Sequence, residues 1–462
     1  MKGGYKLEEN KQIKENKMGT MPINKLLLNM AIPMILSMLV QALYNIVDSI
    51  YVSRISEHAL TAVSLAFPIQ SLIIAVGTGI ATGLNAMLSK AHGEKNQKDV
   101  NDSATSAMFL AVCAYIIMLI ASFTVVKPYF NTQTTDPEIF SYGTIYLSLC
   151  LAFSFGIYGQ LIFERMLVST GKTIFSMTSQ LIGAIINIIL DPILIFGYFG
   201  LPKMGTAGAA VATVIGQCVA FAVAVIFNIK FNKEIHFKLS IRPTKTAVGR
   251  ILAVGIPSTL MQAVGSVMTT GMNMILMSFT STATAVFGVY FKLQSFFFMP
   301  IFGLNSGVVP IIAYNYGARN KERLIKAMKL GFVYAVGFMW TGFAVFETIP
   351  GVLFKLFDAS DNMLEIGIPA LRIMAVAFLA AGFCIMCGTI FQALGNGVYS
   401  MIVSFARQLI VLLPAAYLLS LTGELNAVWW AFPIAEIASL ACSMFFLFRI
   451  YNKIIKPLDK QA

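Results

Sequence analysis

Charge is what this 462-residue chain has least of. Only 12% of its residues are charged and 57% are hydrophobic, whereas a soluble globular protein carries about a quarter charged residues. No soluble core has room for so much apolar surface, which excludes a water-soluble fold. Histidine is nearly absent: His58, His92 and His236 are scattered and show no metal-ligand spacing. The six cysteines all fall inside apolar segments. Cys384 and Cys387 form a C-x-x-C with no second pair, which reads as two small buried hydrophobes rather than a zinc or redox site. No glycine-rich Lys-Ser/Thr phosphate loop is present, and no soluble segment exists to carry one. Enzyme chemistry and a resident cofactor are therefore not expected, and any transport must be powered by a gradient. Residues 1–20 are polar and lysine-rich without an apolar core, so they read as a tail and not as a signal peptide.

What the chain does have is long apolar runs. One helical crossing of the hydrocarbon core takes roughly 20 apolar residues, and runs of that length recur from Leu26 onward. Only helices or closed barrels satisfy every backbone polar group within lipid. The runs are continuous rather than alternating, which selects helices. The expected spans are 26–51, 59–89, 103–127, 139–167, 174–198, 206–229, 248–278, 282–315, 327–349, 363–390, 399–420 and 425–450. The fold class is thus all-α: a polytopic membrane protein of twelve transmembrane helices. The second and eighth spans are long enough to tilt or kink. Pro33, Pro68, Pro257, Pro300, Pro310, Pro414 and Pro433 lie in or at helices, and each removes one backbone hydrogen bond and permits a bend.

Lysine and arginine in the loops set the orientation. With these spans, 26 of them fall on the side that carries both tails and four (Arg54, Lys127, Lys203, Lys355) on the other. Both termini are therefore expected in the cytoplasm, with the chain in the cell membrane. The same asymmetry accounts for the formal charge of +12: basic residues face an anionic inner leaflet, and no nucleic-acid partner is needed.

The sequence also repeats itself at an ungapped offset of 224 residues. Ile32-Pro33 recurs as Ile256-Pro257, Gln70-Ser71 as Gln294-Ser295, Gly79 as Gly303 and Gly83 as Gly307. Gly93 recurs as Gly317, Asn96 as Asn320, Gly143 as Gly367 and Gly171 as Gly395. Two six-helix lobes follow, 21–230 and 248–450, joined by a basic linker at 231–247 and flanked by tails at 1–20 and 451–462. An even number of helices per repeat inserts both halves with the same topology, related by an axis along the membrane normal, a frame suited to alternating access about a central cavity.

Four segments carry a family resemblance. They are Gln41-Ala42-Leu43-Tyr44-Asn45-Ile46-Val47-Asp48 on the first helix and Asn187-Ile188-Ile189-Leu190-Asp191-Pro192 on the fifth. The second helix ends in Ala86 to Asn96, and the eighth in Pro310 to Asn320. Together, across about residues 20–450, they resemble the multidrug and toxic compound extrusion (MATE) transporters, in the bacterial multidrug-efflux branch. That resemblance implies a V-shaped pair of lobes exporting organic, often cationic, compounds against inward flow of Na+ or H+. It implies that Asp48, Asn187, Asp191 and Thr213 form the polar pocket of the N-terminal lobe. Some family branches also keep acids on the seventh and tenth helices. This chain has none on the seventh and only Glu365, at the very start of the tenth span, which puts coupling through the C-terminal lobe in doubt.

Topology supports the same grouping. Asp48 and Asp191 fall late on helices that run outward, and Thr213 falls early on one that runs inward, so all lie in the outer half. Asn187 and Asp191 are four residues apart and share a helix face. Oxygen ligands of this kind suit a small cation, and paired carboxylates in low dielectric raise each other's proton affinity; either Na+ or H+ serves as coupling ion. Intramembrane ionisable residues are costly and usually functional. Gln41 and Tyr44, two turns and one turn before Asp48, are the first substrate-binding candidates, with Lys292, well inside the eighth span, as a further cavity residue. Gln70, Gln160, Gln262 and Asn273 are other polar positions for a central cleft. Glu164 beside Arg165 reads as an interfacial ion pair. Glu347 and Glu436 read as interfacial or structural acids, and Arg372 and Arg407 as residues that snorkel or meet backbone carbonyls.

The expected partners are organic cations and the bilayer, and the chain is expected to act as a monomer. A flippase for lipid-linked oligosaccharides of related architecture is the alternative; it would favour a basic cavity, against the acids here. A major-facilitator protein lacks support because Lys90–Asn96 replaces that family's Gly-Asp-Arg loop.

Overall fold

The computed structural model describes residues 16–235, 243–357 and 359–460. Most of the expected N-terminal tail, His236, residues 236–242 of the linker and the last two residues lie outside the described residues. Among the described residues there are helices and no strands. Ten helices are long and apolar enough to cross a membrane, and two bent pairs bring the number of spans to 12. They are α1 (Ile23–Ser53), α2 (Glu57–Gly93), α3 (Gln97–Thr124), α4 (Pro137–Ala152 with Phe155–Ser169), α5 (Thr173–Phe196) and α6 (Thr206–Phe231). The second six are α7 (Lys245–Met277), α8 (Ser281–Gly317), α9 (Lys321–Thr348), α10 (Asp361–Ala375 with Phe378–Ala393), α11 (Gly397–Ser420) and α12 (Leu425–Leu458). The chain is an all-α polytopic membrane protein, and every span end falls within eight residues of the expected one.

Helix starts are set by side chains that accept the first free backbone N–H groups. Ser56 caps α2, Asp136 caps α4 and Ser360 caps α10. Asn96 and Asn320, matched in the sequence repeat, cap α3 and α9 by accepting from Asp99 and Arg323 backbone nitrogens at 3.2 and 3.1 Å. The residues just before them, Lys95 and Arg319, both take left-handed backbone with φ of 55°. Thus the repeat reaches down to single dihedral angles.

The breaks in helix continuity do not fall at the prolines. Helices α2 and α8, 37 residues each, run unbroken, and Pro33, Pro68, Pro257, Pro300 and Pro310 all sit inside continuous helices. The breaks fall instead in α4, by 44°, and in the equivalent α10, by 49°. Neither breakpoint, Phe153-Ser154 nor Val376-Ala377, contains Pro or Gly.

Three of the repeated glycine pairs lie where the two halves meet, whereas Gly143 and Gly367 pack on Phe130 and Phe354 inside their own halves. A Cβ on Gly79 would stand 2.6 Å from the Gly255 carbonyl oxygen, and one on Gly83 2.2 Å from that of Ile251, so α2 presses on α7. Their equivalents Gly303 and Gly307 press on Ile35 and Ala31 of α1. At the end that carries both termini, Gly93 of α2 abuts the Tyr314 carbonyl and Gly317 of α8 abuts the Lys90 carbonyl. Glycine here permits backbone contact between helices, a packing mode favoured where lipid offers no hydrophobic drive. Burial on α1 follows the same geometry: its buried residues run from Ile23 to Ser37, and beyond them only Val52 is buried. The halves are closed at the terminus-bearing end and diverge toward the other.

A strap before α1 crosses that closed end. The Asn16 side chain donates to the Thr170 carbonyl at 3.2 Å and to Glu234 at 2.7 Å. Arg323 of α9 donates to the Met18 and Met21 carbonyls at 2.9 and 2.7 Å, and Met18 is fully buried.

Candidate functional site

Helix α5 builds one wall of a cavity of about 110 Å³ within the first six helices. Ser176, Gln180, Gly183, Ala184 and Asn187 all line it. Their spacing of four, three, one and three keeps them on one helical face. Eleven residues at 1.5 Å each give this wall a length of roughly 16 Å. From α1, the cavity receives Gln41 and Tyr44, and Gln180 donates to Gln41 at 3.3 Å.

Asn187 and Thr213 line the cavity and join it to the other coupling candidates, Asp48 and Asp191. Asn187 donates to Asp191 Oδ1 and to Thr213 Oγ1, both at 3.4 Å. Asp191 is fully buried and Asn187 nearly so. Asp48 approaches closely enough to act on Asp191 electrostatically, and Tyr44 lies within the field of both. Three buried oxygens here have no hydrogen-bond partner: Asp48 Oδ1, Asn187 Oδ1 and Asp191 Oδ2. Buried polar atoms are otherwise almost always paired. Three orphan oxygens, two of them on carboxylates, make a donor set suited to a small cation or a proton. The structure thus brings together Asp48, Asn187, Asp191 and Thr213, with Gln41 and Tyr44 on the same cavity.

Glu164 differs from expectation. It is buried on the cavity wall, and its neighbour Arg165 lines the same cavity. Gln160 and Ser179 donate to its Oε1 at 3.0 and 3.2 Å. The broken second half of α4 turns residues 160 and 164, one turn apart, onto the cavity, and no local signal in the sequence announces that rotation. Ser176 and Gln180 went unnamed for a simpler reason: the polar stripe at positions 176, 180, 187 and 191 was readable but interrupted by apolar neighbours.

Lys292 does not join this group. It is exposed on α8, with its ammonium 5.8 Å from the Phe357 ring centroid, and does not line the α5 cavity. Gln70 donates to the Tyr146 hydroxyl at 3.0 Å inside the helix bundle. Arg407 neither snorkels nor meets a carbonyl; it pairs with Glu436 at 3.2 Å, and Glu436 is buried rather than interfacial. Arg372 pairs with Glu347 at 3.9 Å on a largely exposed face. Among the described residues, no group of three or more His, Cys, Asp or Glu side chains is placed to hold a metal ion.

Comparison with known proteins agrees with this architecture. The MatE family profile matches residues 33–193 and 257–418, two segments whose starts lie 224 residues apart, the same offset as the internal repeat. Among curated proteins, the multidrug export protein MepA of Staphylococcus haemolyticus (strain JCSC1435) is 26% identical over 442 residues, covering 95% of this chain and 96% of that one. Among solved structures, an outward-facing multidrug resistance MATE family transporter of the MOP superfamily is 25% identical with a TM-score of 0.88, covering 97% and 99% of the two chains. A MOP superfamily transporter from Pyrococcus furiosus Vc1 (DSM3638) shares the fold at a TM-score of 0.87 and 24% identity, over 96% and 98% of the chains. With both repeats matched and the whole length covered, the chain belongs to the MatE family and is a MATE transporter.

Proposed function

We propose that the protein exports organic, often cationic, compounds across the cell membrane in exchange for Na+ or H+, by alternating access of two six-helix lobes. The observation that carries this is the trio of unpartnered buried oxygens on Asp48, Asn187 and Asp191, of which Asn187 lines the α5 cavity. The coupling ion or proton is held there by these residues with Thr213 alongside. The substrate lies against Gln41 and Tyr44, and Glu164 supplies a further negative group on the same wall. Because Asp48 and Tyr44 sit one turn apart on α1, occupation of the ion site and of the substrate wall both act on that helix. Each ligand then biases the same element, which is what reciprocal coupling requires. The export of drugs named for the staphylococcal relatives supports the substrate class. The basic face, which includes both termini, is assigned to the cytoplasm, so the closed end of this structure is the cytoplasmic one, and the lobe boundaries are those of the repeat. The transporter acts as a monomer. The test is efflux of ethidium from cells carrying the wild-type chain or Asp48→Asn: the account predicts loss of efflux in the variant, and full efflux would remove Asp48 from the coupling site.

A further inference from the structure

The second half of the molecule holds its own cavity, of about 50 Å³. It is the repeat mate of the α5 cavity. At the offset of 224, Tyr44 corresponds to Met268, Ile74 to Phe298, Ile157 to Ala381, Gly183 to Arg407 and Ala184 to Gln408, and all ten residues line their respective cavities. The chemistry has changed between the mates. In the first half, Gly183 of α5 meets Gly216 of α6, and a Cβ on Gly183 would lie 2.7 Å from the Gly216 carbonyl oxygen. In the second half, the equivalent crossing of α11 and α12 is an ion pair, Arg407 to Glu436 at 3.2 Å.

Three further observations distinguish this pair from a plain helix stitch. First, Arg407 and Gln408 sit in a π-helical stretch, Ala406–Leu412, inside α11. Such i→i+5 turns are rare and recur at functional sites; Pro414, which cannot donate to the carbonyl of residue 410, lies just beyond it. Second, the pair is incompletely satisfied. Arg407 spends only Nη1 on Glu436, leaving most of a five-donor fork uncommitted. Glu436 Oε1 is buried without a hydrogen-bond partner, in a residue only 4% exposed. Third, the walls are aromatic: Tyr290, Phe291, Phe298, Phe378 and Phe432.

We infer that this cavity is a second ligand subsite, which receives the charged end of a planar aromatic zwitterion. The guanidinium fork of Arg407 takes the carboxylate, a geometry for which arginine is suited bidentately. Glu436 Oε1 accepts from the ligand's ammonium, and the rings hold its aromatic plane by edge and face contacts. The space accommodates a charged head group and not a whole drug. The two cavities thus place their charged pairs differently: in the first Glu164 and Arg165 are neighbours on one helix, and in the second Arg407 and Glu436 face each other across two. The inference rests on the transport reading above for its physiological meaning.

The experiment uses the full-length chain in nanodiscs and a fluorescent aromatic α-amino acid, whose carboxylate and ammonium share one carbon, against its methyl ester. The ester keeps the ring and amine and loses only the negative charge. The wild-type chain is expected to bind the acid more tightly than the ester by about 10-fold, the worth of one charge-assisted hydrogen bond or more. R407M/E436L, which removes the pair together so that no charge is left buried alone, is expected to bring the ratio close to one. R407K, which keeps the charge and loses the fork, is expected to reduce the ratio and covers the case in which the double variant fails to fold. A wild-type ratio near one, or a ratio undiminished in both variants, would overturn the inference. Ethidium exchange by the wild-type chain in liposomes reads the proposed export function separately.

Discussion

A single methyl group at the closed end of the molecule should unbalance its two conformations. A Cβ placed on Gly317 stands 2.1 Å from the Lys90 carbonyl oxygen, where ordinary contact begins at 3.4 Å. The helix ends must therefore retreat by about 1.3 Å, and both neighbouring atoms are backbone, so no side chain can swing aside. Overpacking of this kind costs about 1–3 kcal/mol. In an alternating-access cycle the contact exists only while this end is closed. Gly317→Ala therefore penalises the closed state alone and shifts the equilibrium toward the state open at this end by roughly 5- to 150-fold. Gly93→Ala, with its Cβ 2.0 Å from the Tyr314 carbonyl oxygen, should do the same from the opposite helix. The assay is the maleimide labelling rate of Ala91→Cys, 4% exposed in the closed end, in a background lacking the six native cysteines. Labelling should accelerate in either alanine variant. An unchanged rate would refute the reasoning, because it would mean that the two helix ends part freely or never part at all.

Other expectations follow from the same geometry. Glu164→Gln should weaken binding of an organic cation by about 10-fold, since a hydrogen bond or contact to a charged group is lost, as read by dye titration; the affinity of an uncharged analogue should not change. Arg323→Ala should free the Met18 and Met21 carbonyls, and amide exchange over residues 17–21 should rise. Asp136, the α4 cap, has its carboxyl held below the usual carboxylate range by the Ile139 and Glu138 backbone N–H groups that donate to it. Its folded value is depressed, so its contribution to stability is present above the unfolded value and fades as pH falls through the folded one. Asp136→Asn should keep the cap and remove that acid-side dependence, measured by thermal unfolding across the acid range.

Much of the scaffold was legible because lipid imposes simple rules. Apolar runs gave the spans, and matched glycines and asparagines gave the repeat. Gly79, Gly83 and Gly93 with their mates turned out to mark helix contacts between the halves, and Asn96 with Asn320 to cap helices. Those residue types are demanded by local geometry, so they are conspicuous in sequence. The breaks in α4 and α10 were not legible, because neither contains a residue that forces a bend; packing sets them. The grouping proposed as the first-half site stood out through Asp48 and Asp191, whose charge is expensive in lipid, with the polar Asn187 one turn before Asp191. Glu164 was misread because its facing depends on the rotation of a broken helix. Arg407 and Glu436 were misread separately because their partnership spans two helices and 29 residues, which no local pattern reports.

Proteoliposomes loaded with ethidium test the central claim most directly, with Na+ and pH gradients imposed separately on the wild-type chain and on Asp48→Asn. The account predicts that at least one inward cation gradient drives dye against its own gradient, and that Asp48→Asn abolishes this drive. Dye movement indifferent to both gradients, or fully driven in Asp48→Asn, would contradict it.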